Sequence, residues 1–239
     1  MFIESIKKMS WMFLVQLFMY PVQLLFIPYL ISQIGYKQYG IYILYLAIFN
    51  YVIAFVDFGM GVSLQSSFGS LDKRQKQEKL SLIFGLKYVI FLLSIVILII
   101  ISFLTEIEGY KIFLVSGWGL FAIYSSDFFY LAEFLNKQYF FRQLFQKIIF
   151  ICFVLILFIF DKSVDNILIA LSLSYLFSIL QTLYILKKHD YQLSPIFNVK
   201  EFIKLLRENL SFLLNSFAST GLSTVNVLVI TKFLGNSLA

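Results

Sequence analysis

The residues of this sequence that could do chemistry are a few charged side chains inside long apolar segments. Asp57 and Asp127 lie well within such segments, and Glu133 lies about one turn from the end of the segment that contains Asp127. An acid at the centre of a membrane helix costs about 2.5–3.5 kcal/mol on insertion scales, so its presence indicates a function or a partner. We expect Asp57 to carry a proton or cation, or to pair with a lysine. Asp127 is expected to couple ions or to form structural hydrogen bonds, and Glu133 to lie at the membrane interface.

Lys87 is the one cation that falls clearly inside an apolar segment, seven residues from its start. A lysine near the end of a membrane helix usually extends its ammonium group along the helix to the interface. We expect Lys87 to do the same on the cytoplasmic side. The alternatives are an ion pair with Asp57 and a contact with an anionic substrate.

Uncharged polar side chains follow helical spacing in three of the apolar segments. These residues are Gln16, Tyr20 and Gln23 in the first segment, Asn50 with Asp57 in the second, and Ser216, Ser219, Ser223 and Asn226 in the last. Spacings of three, four and seven residues place side chains on one face of a helix. We therefore expect these three helices to line a polar cavity. The alternative is that small polar residues only join helices, and this is the role we expect for Ser174, Ser178 and Gln181 of the sixth segment.

The elements that must position these residues are membrane helices. Of the 239 residues 60% are hydrophobic and 13% are charged, which leaves too few polar residues to cover a water-soluble protein. A helix needs about 20 apolar residues to cross a bilayer. The fold class we predict is an all-α membrane protein with seven transmembrane helices. Their predicted ranges are 10–34, 41–64, 80–104, 112–135, 148–160, 167–186 and 210–234, and the fifth extends to 140–160 if Arg142 and Lys147 reach back to the interface.

The distribution of lysine and arginine predicts the orientation of these helices. With the N-terminus in the cytoplasm, two basic residues precede the first helix, and four, three and five lie in the loops that follow helices two, four and six. The remaining loops hold only Lys37, Lys111, Lys162 and Lys232. Basic residues concentrate in cytoplasmic loops, so we predict a bacterial inner-membrane protein with a cytoplasmic N-terminus. The net charge of +6 is accounted for in this way, and no nucleic acid is expected as a partner.

Metal and thiol chemistry are disfavoured because Cys152 and His189 are single residues of their kinds. The sequence also contains no nucleophile–base or paired-carboxylate constellation. We therefore expect no catalytic residues, no bound metal and no enzyme activity.

A weak internal repeat indicates how the chain is divided. Residues 2–35 align with residues 202–235, each copy running from a basic amphipathic lead-in through one span to a glycine. The repeat predicts a six-helix lobe (1–186), a cytoplasmic loop with an amphipathic surface helix (187–210), and a seventh span (211–239) that opens a second, parallel lobe. The chain is accordingly expected to be a truncated product or a fragment.

Three stretches resemble the oligosaccharide flippases of the multidrug/oligosaccharidyl-lipid/polysaccharide exporter superfamily, in their N-terminal half. They are Pro28 to Gly40 with Val56-Asp57-Phe58-Gly59, then Phe128-Phe129-Tyr130 onward to Asp165, and Val227 to Gly235. The chain departs from this family pattern at Ala132-Glu133, where many relatives have a glycine, so the resemblance assigns no role there.

The resemblance implies a two-lobe transporter whose partly cationic cavity is lined by helices one, two, seven and eight. Its implied activity is the transfer of undecaprenyl-pyrophosphate-linked oligosaccharide, an O-antigen or capsule repeat unit, from the cytoplasmic to the outer leaflet. It also implies proton or sodium coupling without another cofactor. The implied partners are membrane lipids, a polysaccharide polymerase and chain-length proteins. Three alternatives stay open: a multidrug/cation antiporter, a membrane-bound polymerase or acyltransferase, and an inactive remnant.

Overall fold

The structure is a computed structural model that describes residues 2–104 and 109–235, with side chains described for residues 17, 21–22, 24–65, 67–100, 103 and 117–222. Within these residues the chain is built from α-helices and contains no strand. The helices are α1 (Phe2–Asp57), α2 (Met60–Gly69), α3 (Lys73–Leu104), α4 (Gly109–Tyr124), α5 (Asp127–Ala132), α6 (Asn136–Leu157), α7 (Val164–Lys188) and α8 (Val199–Gly235). The predicted all-α class is confirmed.

Four helical segments in the described part of the chain are long and apolar enough to cross a membrane. They are Leu24–Asp57, Lys73–Ile100, Asn136–Leu157 and Val164–Lys188. Their outward faces carry exposed aliphatic and aromatic side chains, such as Leu25, Leu92 and Ile156, which suits contact with lipid. These helices make the protein membrane-embedded, and the count of seven spans stays a prediction.

Two predicted spans differ from the helices of the structure because glycine and serine interrupt them, and another glycine separates the first span from the second. Gly35 adopts φ 79° and ψ 163° within α1, a conformation available essentially to glycine, and so divides the first span from the second. The second predicted span ends early, at Phe58 and Gly59, which both have positive φ; we call this the Gly59 break. The fourth is divided at Ser125 and Ser126 between α4 and α5; we call this the Ser125 break.

Two buried clusters hold the helices together. One surrounds the two breaks and includes Val56, Met60 and Phe129. The other packs the second half of α1 against α4, α6 and α7 through residues such as Phe49 and Trp118, whose rings meet edge to face. The breaks are therefore fixed on their apolar side by close packing, and their polar side is left for the cavity described below.

The location of residues 187–210 on the cytoplasmic side stays a prediction. The helix predicted in this segment is the first part of α8, which runs without interruption from Val199 to Gly235. Its apolar side chains Phe202 and Leu205 are buried in the cluster around the breaks. The lead-in is thus anchored in the protein interior because its apolar face has a packing partner there.

Candidate functional site

A polar cavity of about 320 Å³ lies where α1, α2, α4, α5 and α8 meet. Its lining residues are Asn50, Ile53, Ala54, Asp57, Gly61, Ser125, Asp127, Ser216 and Thr220. The structure therefore brings together Asn50, Asp57, Asp127 and Ser216, four of the residues singled out from the sequence. Both helix breaks open onto this cavity.

The first carboxylate of the cavity, Asp57, is the last residue of α1. One carboxylate oxygen, Oδ2, accepts the backbone N–H of Gly61 at 2.9 Å. The other, Oδ1, accepts a hydrogen bond from Lys87 Nζ at 2.8 Å. Asp57 therefore caps the start of α2, where free N–H groups favour a negative group, and also belongs to an ion pair.

Lys87 joins the two helix breaks from behind the cavity. Its side chain is only 1% exposed, and its Nζ also donates to the backbone carbonyl of Ala122 at 3.2 Å. That carbonyl lies in the last turn of α4, beside the Ser125 break. The expectation that Lys87 extends to the interface is wrong, because Asp57 and the Ala122 carbonyl offer its ammonium group two partners inside the protein. The alternative pairing with Asp57 is the one observed.

The second carboxylate of the cavity, Asp127, pairs with Arg142 of α6. Arg142 is fully buried and donates a second hydrogen bond to Ser178 Oγ of α7 at 3.2 Å. Its guanidinium also lies over the rings of Tyr130 and Tyr139, at 5.2 and 5.4 Å from the ring centroids. Planar stacking combined with directed hydrogen bonds is a typical use of arginine.

Arg142, like Lys87, does not lie where the sequence predicts. Its side chain is inside the helix bundle and does not reach the interface, so Lys87 is not the one cation there. The sequence signal that could have found it is a second acid, Asp127, inside an adjacent predicted span. Ser178, expected only to join helices, also belongs to this group because it accepts a bond from Arg142.

The charges of the two pairs are arranged in the same order. The acid faces the cavity and the cation lies behind it: Asp57 and Asp127 are 21% and 38% exposed, whereas Lys87 and Arg142 are 1% and 0% exposed. The charged groups that line the described cavity are therefore carboxylates. This corrects the expectation of a partly cationic cavity wall. The cations offset the acids in charge without reaching the cavity surface.

The remaining predicted residues lie apart from these two pairs. Glu133 pairs with Lys76 at 2.6 Å, and Ser174 is buried and donates to the Leu171 carbonyl, which fits a structural role. In α8 the cavity is lined by Ser216 and Thr220, one helical turn apart, while Ser219 is exposed elsewhere. The side chains that fall outside the described residues are those of Gln16, Tyr20, Gln23, Ser223 and Asn226.

Chemically, the cavity can accept hydrogen-bonding groups and exchange a proton or a monovalent cation at its carboxylates. Asn50, Ser125, Ser216 and Thr220 offer amide and hydroxyl groups of the kind that bind sugars and water. Among the described residues no three histidine, cysteine or acidic side chains lie close enough to hold a metal ion together.

Comparison with known proteins gives one match. A profile of the polysaccharide biosynthesis protein family matches residues 5–238, a range that includes every residue of the cavity. No curated protein and no solved structure matches the chain. Since the match covers nearly the whole sequence, this chain belongs to the polysaccharide biosynthesis protein family.

Proposed function

We propose that this protein moves a lipid-linked oligosaccharide from the cytoplasmic to the outer leaflet of the inner membrane. The observation that carries the proposal is a polar cavity with two neutralised ion pairs inside an apolar helix bundle. A hydrated sugar and its pyrophosphate lose their hydrogen bonds in hydrocarbon, which is costly. A cavity with carboxylate, amide and hydroxyl groups replaces those bonds, while the polyprenyl tail stays in the lipid. Membership in a polysaccharide biosynthesis family supports this class of substrate.

We further propose a division of the chain that suits such transport. Residues 1–186 form a six-helix lobe, residues 187–210 connect it on the cytoplasmic side, and residues 211–239 belong to the first helix of a second lobe. Ser216 and Thr220 of that helix face Asn50 and Asp57 across the cavity. In this proposed division the cavity lies between the two lobes, and a change in their relative position alters access to it.

The two carboxylates of the cavity act in the same way in this proposal. A proton or sodium ion at Asp57 weakens its bond to Lys87, and the same event at Asp127 weakens its bond to Arg142. Either change leaves a buried cation without its counter-charge, which is costly in a low dielectric. An anionic headgroup arriving in the cavity offsets that cost, so ion binding and substrate binding become linked. Asn50 and Ser216 are the proposed contacts to sugar hydroxyls.

A second candidate function is cation-coupled drug export. The observation that favours it is the carboxylate lining itself, because acids at a cavity surface suit cationic organic molecules. An efflux assay separates the two functions. Expression of a drug exporter lowers cellular accumulation of cationic dyes, whereas expression of an oligosaccharide flippase leaves accumulation unchanged.

The test of the proposed function is deletion of the gene followed by complementation with Asp57→Asn. We expect deletion to abolish surface polysaccharide and to retain lipid-linked oligosaccharide in the cytoplasmic leaflet. Asp57→Asn should restore neither the surface polysaccharide nor the transfer of lipid-linked oligosaccharide, because an amide at this position carries no charge to pair with Lys87. Asp161→Asn is the matched control, since Asp161 is exposed and away from the cavity. This control should restore both the surface polysaccharide and the transfer.

Two results would count against this proposal. Unchanged surface polysaccharide after deletion contradicts the transport function. Full complementation by Asp57→Asn contradicts only the role of this carboxylate.

A further inference from the structure

A segment without helix, residues 190–196, lies along α3 after α7 ends, and we call it the strap; its first residue, Asp190, is in a turn with φ 61°. Asp190 pairs with Lys73 at 3.1 Å. Gln192 forms two hydrogen bonds with the side chain of Gln77: its N–H donates to Oε1 at 2.9 Å and its carbonyl accepts from Nε2 at 2.6 Å. Further along, the backbone N–H of Ile196 donates to the Ser81 carbonyl at 3.0 Å.

The contacts of the strap repeat in a regular register. On α3 they fall at every fourth residue from 73 to 85, and on the strap at every second residue from 190 to 196. Four residues of helix rise about 6 Å, and two residues of extended chain span about 6.6 Å. The two periods nearly coincide, so the strap from Gln192 onward can follow one helix face, where Ile196 contacts both Ser81 and Gly85. Pro195 favours an extended conformation in the residue before it.

The last contact of the strap is a direct approach of two backbones. A Cβ atom at Gly85 would lie only 2.2 Å from the carbonyl oxygen of Ile196. Glycine is therefore required at position 85 for the strap to dock. Gly85 is two residues from Lys87, so the strap and the Asp57–Lys87 ion pair lie on roughly opposite faces of α3.

Beyond the strap, the start of α8 closes one end of the cavity. Asn209 is buried and accepts a hydrogen bond from Ser63. One turn later, Phe212 comes so close to Gly59 that a Cβ there would lie 2.5 Å from the Phe212 Cβ. Along both helices this contact layer separates the cavity from the end of the bundle that carries the basic loops, which is the cytoplasmic end in the proposed orientation.

We infer that the strap is a releasable latch that holds α8 in this closed position. Docked along α3, it keeps the start of α8 against the Gly59 break and shuts the cavity from the cytoplasm. Detached, it lets α8 move away and opens the cavity to that side. Release breaks a few hydrogen bonds, the packing of Tyr191 against Phe129, and an ion pair whose side chains are 64% and 81% exposed. Such exposed pairs contribute little to stability. The inference rests on the proposed function only in requiring a transport cycle, and not on the identity of the substrate.

A disulfide between strap and α3 tests this latch. The hydroxyl oxygens of Ser81 and Ser194 lie 3.5 Å apart, and a disulfide needs about 2.05 Å between its sulfur atoms. The double variant Ser81→Cys/Ser194→Cys should therefore cross-link after a small shift. The background is Cys152→Ser, which removes the native cysteine. Ser216→Cys, in the cavity wall, reports access to the cavity from the cytoplasmic side. The reagent is a membrane-impermeant maleimide, added to inverted membrane vesicles whose cytoplasmic face is outward.

Locking the strap should reduce labelling at position 216. We expect a fall of about tenfold or more, because labelling follows the population of the open state and the disulfide removes that state. A reductant should reverse the fall, and each single cysteine treated with oxidant should label like the unlocked protein. Equal labelling of the locked and reduced forms would overturn the inference. Labelling at position 216 needs no substrate, so it tests the latch separately from the proposed function. If the locked protein loses labelling while surface polysaccharide is unchanged, the latch is supported and the proposed function is contradicted.

A second variant opens the latch by substitution. Gly85→Ala places a methyl group against the Ile196 carbonyl and should raise labelling at position 216. Gly117→Ala is the matched control, because no atom lies within 4 Å of a Cβ built there, and it should leave labelling unchanged. Reduced or equal labelling in Gly85→Ala would contradict the latch.

Discussion

At the scale of single residues, the cavity depends on two acids that each hold a cation behind them. A buried ion pair adds little net stability, yet removal of one partner is costly because the other is left uncompensated. Lys87 shows this most clearly, since it is 1% exposed and its described partners are Asp57 and the Ala122 carbonyl. Its ammonium group donates a hydrogen bond to one group at each of the two helix breaks. The pair thus links local backbone geometry to the charge of the cavity.

We predict that Lys87→Met destabilises the protein more than Lys87→Met combined with Asp57→Asn. The single variant leaves Asp57 without its cation, at a cost of about 3–5 kcal/mol in buried sites, and the partial exposure of Asp57 places the effect at the lower end. The double variant removes both charges and should recover part of the loss. Thermal unfolding of the detergent-solubilised proteins measures this coupling, with Lys188→Met, at an exposed position, as the control. Strictly additive effects would argue against the pair.

The identification of these residues from the sequence was uneven for a physical reason. Asp57 and Asp127 stood out because an acid in an apolar segment is costly wherever it finally packs. Arg142 did not, because it lies near the end of its segment, where an arginine can also reach water. Only the position of Asp127 on a neighbouring helix decided between these outcomes.

At the scale of elements, the two helix breaks create the site. Each break places a carboxylate beside helix ends whose backbone groups lack helical partners. At the Gly59 break a positive φ and the close approach of Phe212 both require glycine. At Gly35 the backbone conformation alone requires it, since no neighbouring atom lies near a Cβ built there.

This difference predicts a graded series of alanine substitutions. Gly59→Ala should lower the thermal midpoint most, because it combines backbone strain with a steric overlap against α8. Gly35→Ala should show the strain alone, about 1–3 kcal/mol. Gly117→Ala, helical and unobstructed, should be neutral or slightly stabilising. An equal effect of Gly35→Ala and Gly59→Ala would indicate that the contact with Phe212 is not maintained in solution.

At the scale of the whole molecule, the orientation that we predict rests on the distribution of basic residues. We predict that Arg74→Cys, in a Cys152→Ser background, reacts with an impermeant maleimide in inverted vesicles, and that Lys162→Cys reacts in intact spheroplasts. Both side chains are exposed, so reactivity reports the side of the membrane and not burial. Reversal of this pattern would invert the proposed topology and with it the direction of transport.

The sequence alone determined the class of the protein, its membrane location and the two acids that line the described cavity. Transfer of a segment into lipid depends on the composition of that segment, so hydropathy and charge can be summed along the chain without knowledge of its neighbours. The family resemblance likewise rests on motifs that are local in the chain.

The tertiary structure decided which groups meet. The pairing of Arg142 with Asp127, the division of two predicted spans at glycine and serine, and the register of the strap on α3 all depend on how separate segments pack. A buried charge or a broken helix is tolerable only if another segment supplies its partner. That partner is chosen by the three-dimensional arrangement, which no single stretch of this sequence contains.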